Sequence, residues 1–455
     1  MSEEKIVIKG GLVLRPDGLH PLDIAIQGEV ITEVAPEIDS TDCRVVDAGG
    51  CVVSTSFYDT HTHSRFPGDP EAETIDSLSE QALLGGYQYL LAMANTEPTI
   101  DSASIWKAVS DELKRAPIEI EQAASITVGR KGERLVDFVS LAEAGANFFT
   151  DDGTGLGSTK LMYEALKMSD LLGVTIGQHA QDPFLFDGAS MNLGATSVRL
   201  GLIGEPEVSE SSMVARDIEL LKATGGRLHV LHVSARESIN LIRSARGEGL
   251  RISAEVTPHH LLLNDSLLEG FDTSFKVNPP LRSRPTQMAL VASAIRGDFD
   301  AIASDHAPHP YHTKQRPFSQ ASFGMIGLQS AFLASWTAFL ETPAFPPELN
   351  IGAEHWSQRA TTRVALEPFE LQRLHRLLEM MGPGAARVVG RRIAIEPNAL
   401  ASIVVCDPTA ESVGRIDEIA SNSTNFPYQG RKLKGRIVAG FIRGKEILKE
   451  GKLWF

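Results

Sequence analysis

The chain has 455 residues, 42% hydrophobic and 22% charged, enough for a sizeable soluble core and for more than one domain. Lys and Arg number 43 against 58 Asp and Glu, a formal net charge of −15, which argues against nucleic acid or an anionic membrane as the main partner and leaves a small molecule. The start lacks the apolar run of a signal peptide, no stretch approaches the ~18 apolar residues a membrane span needs, and the three isolated cysteines (Cys43, Cys51, Cys406) read as buried thiols of a cytoplasmic protein.

In chain order, residues 1–50 read as short strands, among them Ile6–Leu14 and Asp23–Ile31, separated by Gly, Pro and Asp turns. The C-terminal end is similar, with β-type runs at Ala401–Asp407 and Gly435–Gly444. A small β-sandwich domain built from both ends, 1–53 and 391–455, is expected to bracket a central domain, 54–390. There, strand-like runs at 52–60, 87–94, 118–126, 146–150, 174–180, 227–234, 251–257 and 299–305 alternate with helical patterns such as Lys160–Met168 and Ser238–Ala245. Alternating β and α points to a parallel sheet, and eight repeats point to a closed TIM-like (β/α)8 barrel. An open doubly wound sheet would favour a Gly-rich phosphate turn after its first strand, where His-Thr-His stands instead. A Pro-rich loop at Glu341–Glu348 should lie between helical segments.

In such a barrel the chemistry sits at the C-terminal ends of the strands. The first strand ends in His61, His63 and Arg65, and residues i and i+2 of a strand aim at one point, so the two imidazoles form half of a metal site. A His-x-His pair alone is more often two surface histidines at a strand end. The other strand ends add Asn95, Asp151-Asp152-Gly153, His179, His232 and Asp305, with Asn278 beyond strand seven. Each has a bland alternative: His179 and His232 as satisfied core groups, Asp151-Asp152-Gly153 as a turn or cap. Metal-ligand types at five of eight strand ends make the set stronger than any member. His229, His259, His260, His306 and His312 are left as supporting or structural groups. Four imidazoles and two carboxylates suit Zn²⁺, and suffice for two ions if a carboxylate bridges them. The physical reading is a binuclear metallohydrolase.

These residues resemble the amidohydrolase superfamily and, more finely, class I dihydroorotase. The resembling segments are Asp59–Gly68, Met93–Thr96, Phe149–Gly153, His232–Ser234, Asn278–Arg282, Ser304–His309 and Phe323–Gly327, and the similarity runs over about 5–445. The resemblance implies reversible cyclisation of N-carbamoyl-L-aspartate to L-dihydroorotate, two zinc ions per chain, and Asp305 as catalytic proton carrier. It implies His61, His63 and Asp305 on one metal, His179 and His232 on the other, and Asp152 bridging where hydantoinases carry a modified lysine. Arg65, Asn95 and His309 would grip the substrate carboxylate, and Asn278, Phe323 and Gly324 would meet the ring. A homodimer and an aspartate transcarbamoylase partner are the assemblies it leaves open. Departures are Ala94 for proline, Ala180-Gln181 for Cys-Glu, Gln315 near an often acidic position and Ser322 for proline. The rivals are another cyclic amidase (hydantoinase or allantoinase) and an inactive homologue that scaffolds a transcarbamoylase.

Overall fold

The computed structural model describes residues 4–343 and 364–454. Eight parallel strands form the centre: β1 (Phe57–Thr62), β2 (Tyr87–Ala92), β3 (Glu119–Gln122), β4 (Phe148–Thr150), β5 (Thr175–Gln178), β6 (Leu228–Val230), β7 (Ile252–Val256) and β8 (Ala301–Ile302). They pair as two arcs, β1-β2-β3 and β4-β5-β6-β7-β8. Single bridges join the arcs at both ends, Ala124 to Phe149 and Thr62 to His306. Successive side chains leave a strand on opposite faces. Thus Tyr58, Tyr89, Phe148 and Leu231 pack together on one side, closed off by Ala385, Ala386 and Val388, while Phe57, Leu90, Phe149 and Val230 pack outward against the helices.

The helices follow from period and caps. Thr159–Leu172 buries Met162, Ala165, Leu166 and Ser169, a 3–4 spacing. Its start is capped by Ser158, whose hydroxyl accepts the Leu161 N–H, and Gly173 ends it at φ +73°, a conformation glycine tolerates without strain. Arg236–Gly247 buries Ser238, Ile239, Ile242 and Ala245 on one face.

The chain ends interleave in two further sheets. One has four strands from Lys5–Lys9, Asp23–Gln27, Val30–Ala35 and Arg44–Asp47. The other joins Leu12–Arg15, Gly18–Pro21 and Val52–Thr55 to Ile403–Val413, Lys432–Ile442, Lys445–Lys449 and Lys452–Leu453. Ile8, Ile24 and Ile26 of the first pack with Val53, Ile403, Val405 and Phe441 of the second.

Three expectations need correction. The run 52–60 is two strands: Val52–Thr55 pairs with Ile403–Cys406 in the terminal sheet, and β1 starts at Phe57 against Tyr87. The last strand spans only Ala301–Ile302, because the chain then turns to carry Ser304 and Asp305. Cys43 is only partly buried, unlike Cys51 and Cys406. Helices Ala331–Glu341 and Pro368–Met381 flank the Pro-rich stretch, whose residues from Ala344 on lie outside the described residues. Among the described residues no helix is long and apolar enough to cross a membrane.

Candidate metal centre and substrate cavity

The ends of β1 and β8 are fastened by Asp59, which is fully buried and whose Oδ1 accepts the N–H of Ser304 at 2.8 Å and that of His61 at 3.2 Å. Beyond them the His63 N–H donates to the His306 carbonyl at 2.9 Å. This places His61, His63 and Asp305 side by side. At the end of β4 adjacent aspartates divide the work. Asp151 accepts the N–H groups of Ile126 (2.8 Å) and Thr127 (3.1 Å), which leaves Asp152 to face the histidines.

Asp152 stands between two donor sets. Its Oδ2 lies 3.4 Å from His61 Nε2 and 3.6 Å from His63 Nε2, and its Oδ1 lies 3.4 Å from His179 Nδ1 and 3.3 Å from His232 Nε2. Both sets, His61-His63-Asp152 and Asp152-His179-His232, are compact enough to hold a metal ion. Asp305 Oδ1 adjoins the first, 3.1 Å from His63 Nε2 and 3.6 Å from His61 Nε2.

The outer nitrogens show that a cation fits. His61 Nδ1 faces Glu255 Oε1 at 2.8 Å, His63 Nδ1 faces Asn95 Oδ1 at 2.9 Å, and His179 Nε2 faces Gln181 Oε1 at 3.1 Å. At His61 and His63 the outer nitrogen meets only an oxygen and so donates to it, which in the neutral imidazole leaves a lone pair on the inner nitrogen; His179 Nε2 also has the Asn278 amide nitrogen at 3.3 Å. Two lone pairs then point at carboxylates, and His61 Nε2 is buried with no hydrogen-bond partner. Cations between them reconcile nitrogen lone pairs with carboxylate oxygens. Without a cation, burial raises the Asp152 carboxyl, but His61, His179 and His232 outweigh it and hold the group well below the usual carboxylate range.

Arg65, His232 and Asp305 all have positive φ, at 56°, 31° and 45°, conformations costly for residues with a side chain. Such strain is retained where the aim of a side chain matters more than backbone comfort.

Above the donors lies a cavity of about 370 Å³ lined by Arg65, Asn95, Asn278, His309, Phe323 and Gly324 together with His63, Asp152, His179, His232 and Asp305. The Arg65 Nε donates to the Pro308 carbonyl (2.9 Å) and an Nη lies 3.4 Å from His309 Nε2, yet Arg65 makes no ion pair among the described residues. Burial lowers its guanidinium to about 10. The amides of both asparagines are engaged: Asn95 with His63 and Asp152, Asn278 with Gln181 and His179. His309 Nε2 meets the Phe323 carbonyl at 2.6 Å. Gly324 has φ +135°, and a Cβ there would come within 2.8 Å of Ala307 Cβ and His309 Nε2. Larger cavities of about 630 and 690 Å³ elsewhere contain none of these residues, so volume alone does not mark the site.

The Dihydro-orotase-like family model matches residues 50–238. A dihydroorotase of Leifsonia xyli is 36% identical over 454 residues, covering 99% of this chain and 98% of its own. The chain belongs to the dihydroorotase family. Family proteins named dihydroorotase from Streptomyces coelicolor (99% of each chain) and Bacillus subtilis (98% of this chain, 99% of its own) are each 35% identical to it. Among solved structures, L-hydantoinase from Arthrobacter aurescens (TM-score 0.82, 19% identity, 100% of this chain and 98% of its own) has the same fold. So does dihydropyrimidinase from Brevibacillus agri (TM-score 0.78, 18% identity, 99% and 96%). Membership in this family of the amidohydrolase superfamily implies a metal centre, and the two donor sets are where it fits.

All twelve residues singled out in the sequence meet at this one place, eleven of them lining the cavity and His61 beneath it. The five unassigned histidines stay outside the donor sets. His229 lies 3.0 Å from Glu255, His306 lies 3.2 Å from Glu73, and His260 lies 3.1 Å from the Pro279 carbonyl. His259 is buried, which lowers it to about 4, and the Asp305 charge only partly opposes this. His312 is exposed beside Glu71. Sequence reasoning missed Glu255. This fully buried carboxylate lies near His61 Nδ1 and His229 Nε2 and accepts the Thr60 hydroxyl (2.6 Å) and the His232 N–H (3.2 Å). An acidic residue within the β-run Ile252–Val256 was the available signal. Arg130 was missed too: it lines the cavity and donates to the Asp152 carbonyl at 2.5 Å.

Proposed function

We propose that this protein is a cytoplasmic dihydroorotase with two zinc ions per chain, interconverting N-carbamoyl-L-aspartate and L-dihydroorotate in de novo pyrimidine synthesis. The observation that carries the reading is a shared carboxylate, Asp152, between two complete donor sets beneath a cavity that holds a guanidinium without an ion pair. His61, His63 and Asp305 would hold one ion, His179 and His232 the other, with Asp152 common to both. Bound there, the ions supply an activated water and polarise the amide carbonyl.

The remaining roles belong to the chain. Arg65, with His309 beside it and Asn95 next to it, receives the substrate carboxylate, because a planar guanidinium can hold a carboxylate through two parallel bonds. Asn278 and the main chain at Phe323-Gly324 face the ring. The Phe323 N–H supports this, having no protein partner among the described residues. In hydrolysis Asp305 accepts a proton from the attacking water and delivers it to the ring nitrogen as the amide C–N bond breaks. In cyclisation the same carboxyl gives and takes protons in the opposite order.

The same reading makes the two arcs one closed (β/α)8 barrel over 54–390 and the terminal sheets one β-sandwich domain from 1–53 and 391–455. The bridges at Ala124 and Thr62 and the shared apolar packing of the two sheets support it, with the first boundary running on to Thr55. A homodimer or a transcarbamoylase complex belongs to the same reading, and such a contact would cover exposed apolar side chains such as Phe184, Val198 or Ile203. The functional test is an assay of purified, metal-loaded protein in both directions. Dihydroorotate opening and carbamoyl aspartate closure are expected. Turnover confined to a neutral hydantoin would replace the reading with the cyclic-amidase rival, and turnover of neither with the scaffold rival.

A further inference from the structure

One wall of the cavity, Ser322-Phe323-Gly324, is tied down through its main chain by two buried lysines. Lys276 is 1% and Lys314 4% exposed, and neither makes an ion pair among the described residues. Lysine is rarely buried without a counter-charge, since removing an ammonium from water is costly. Burial lowers Lys276 to about 8 and Lys314 to about 7, and each Nζ is met by three carbonyls, the arrangement that suits its ammonium form. Lys276 Nζ donates to Phe318 O (2.7 Å), Ser319 O (3.0 Å) and Ala321 O (2.7 Å). Lys314 Nζ donates to Ser322 O (2.9 Å), Gly324 O (3.0 Å) and Lys276 O (3.3 Å). An ammonium has three donors, so both sets are filled.

The targets of these bonds surround one residue. Lys314 takes the carbonyls on either side of Phe323, and Lys276 Nζ lies 4.3 Å from the centre of the Phe323 ring, where the negative face of the ring attracts a cation. The Lys276 carbonyl also accepts the Gly324 N–H at 2.9 Å, and the Thr313 carbonyl the Ser322 N–H at 3.2 Å. The two lysines come to this wall from two sides of the sequence, one from the segment that carries Asn278 and the other from helix Tyr311–Lys314. The Thr273 hydroxyl ties the two sides together by donating to the Lys314 carbonyl at 2.7 Å.

We propose that Lys276 and Lys314 are positioning residues for the substrate, two buried ammonium groups that fix the main chain of 318–324 and thereby aim the Phe323 N–H and ring into the cavity. The inference rests on the dihydroorotase reading for the identity of the substrate. Neither lysine touches the donor sets, so their loss should loosen substrate binding and spare the metals.

The test replaces each with methionine, which keeps most of the unbranched stem and removes the donors. Lys314→Met and Lys276→Met should raise KM for dihydroorotate about tenfold or more, keep kcat within about threefold, and retain wild-type metal content. Amide exchange measured by mass spectrometry should quicken in 318–325 and stay unchanged in 252–256. Unchanged KM and exchange, or a fall in kcat at constant KM, overturns the proposal. Should a methionine variant not fold, Lys314→Gln and Lys276→Gln keep two N–H donors and should shift KM and exchange the same way by less. Misfolding of all four would show that the lysines serve the whole fold, and would also overturn it. If the wild type does not turn over dihydroorotate, the functional reading fails, and the exchange comparison still decides whether the lysines hold this wall.

Discussion

The floor and the wall of the cavity are built by opposite means. The floor consists of side chains at strand ends, three of its histidines held at the outer nitrogen: His61 by Glu255, His63 by Asn95, His179 by Gln181. The wall at 322–324, with the segment 318–321 that leads into it, is held through its carbonyls by Lys276 and Lys314. In the floor, chemical identity is fixed by which residue stands at a position. In the wall, shape is fixed by residues that never meet the cavity. Substitutions should therefore act differently in the two places. Floor changes should remove metal and chemistry together, and changes to the wall or its supports should act on binding.

The largest effect should come from the residue both donor sets share. Asp152→Asn replaces an anion that faces four imidazoles with a neutral amide. Metal affinity and turnover should both fall by more than the roughly 10–100-fold that the partners behind ligands are worth. Metal content measured beside activity checks it, and full metal retention with normal rate would break the contrast. Next is Arg65→Lys, at the edge between floor and wall. Losing the two-pronged donor should cost about 2–4 kcal/mol in kcat/KM for dihydroorotate and much less for an uncharged cyclic amide. Equal losses on both would place Arg65 in the structure and not at the carboxylate.

Glu255→Gln acts from behind the floor. It keeps the shape and removes the anion that His61 and His229 face, so metal affinity should drop by roughly 10–100-fold with the fold retained. A competitive chelator titration reads this directly. His312→Ala is the smallest. An exposed side chain beside Glu71 should matter by no more than about 0.5 kcal/mol to stability and leave metal content alone.

The same contrast explains what the sequence could reveal. Donor positions were legible because strand ends follow from hydrophobic runs and because His, Asp and Asn there are few. Asp151 and Asp152 could not be told apart by pattern alone. Their roles depend on which one meets the N–H groups of Ile126 and Thr127. Glu255 was hidden because an acid inside a strand reads as a solvent-facing residue. Lys276 and Lys314 were hidden for the same reason, since nothing local to a lysine says that three carbonyls from elsewhere will surround it. The break at Ser56 was invisible because β-forming residues run on through it while the pairing partner changes from Ile403–Cys406 to Tyr87. Tertiary partners made each of these decisions.

The central claim, that Asp152 makes one centre of two donor sets, is tested most directly by counting metal in the intact, carefully loaded wild-type protein. Elemental analysis should saturate at two equivalents of zinc per chain, falling to one or fewer in His179→Ala. Saturation near one equivalent in the wild type would contradict the shared role of Asp152.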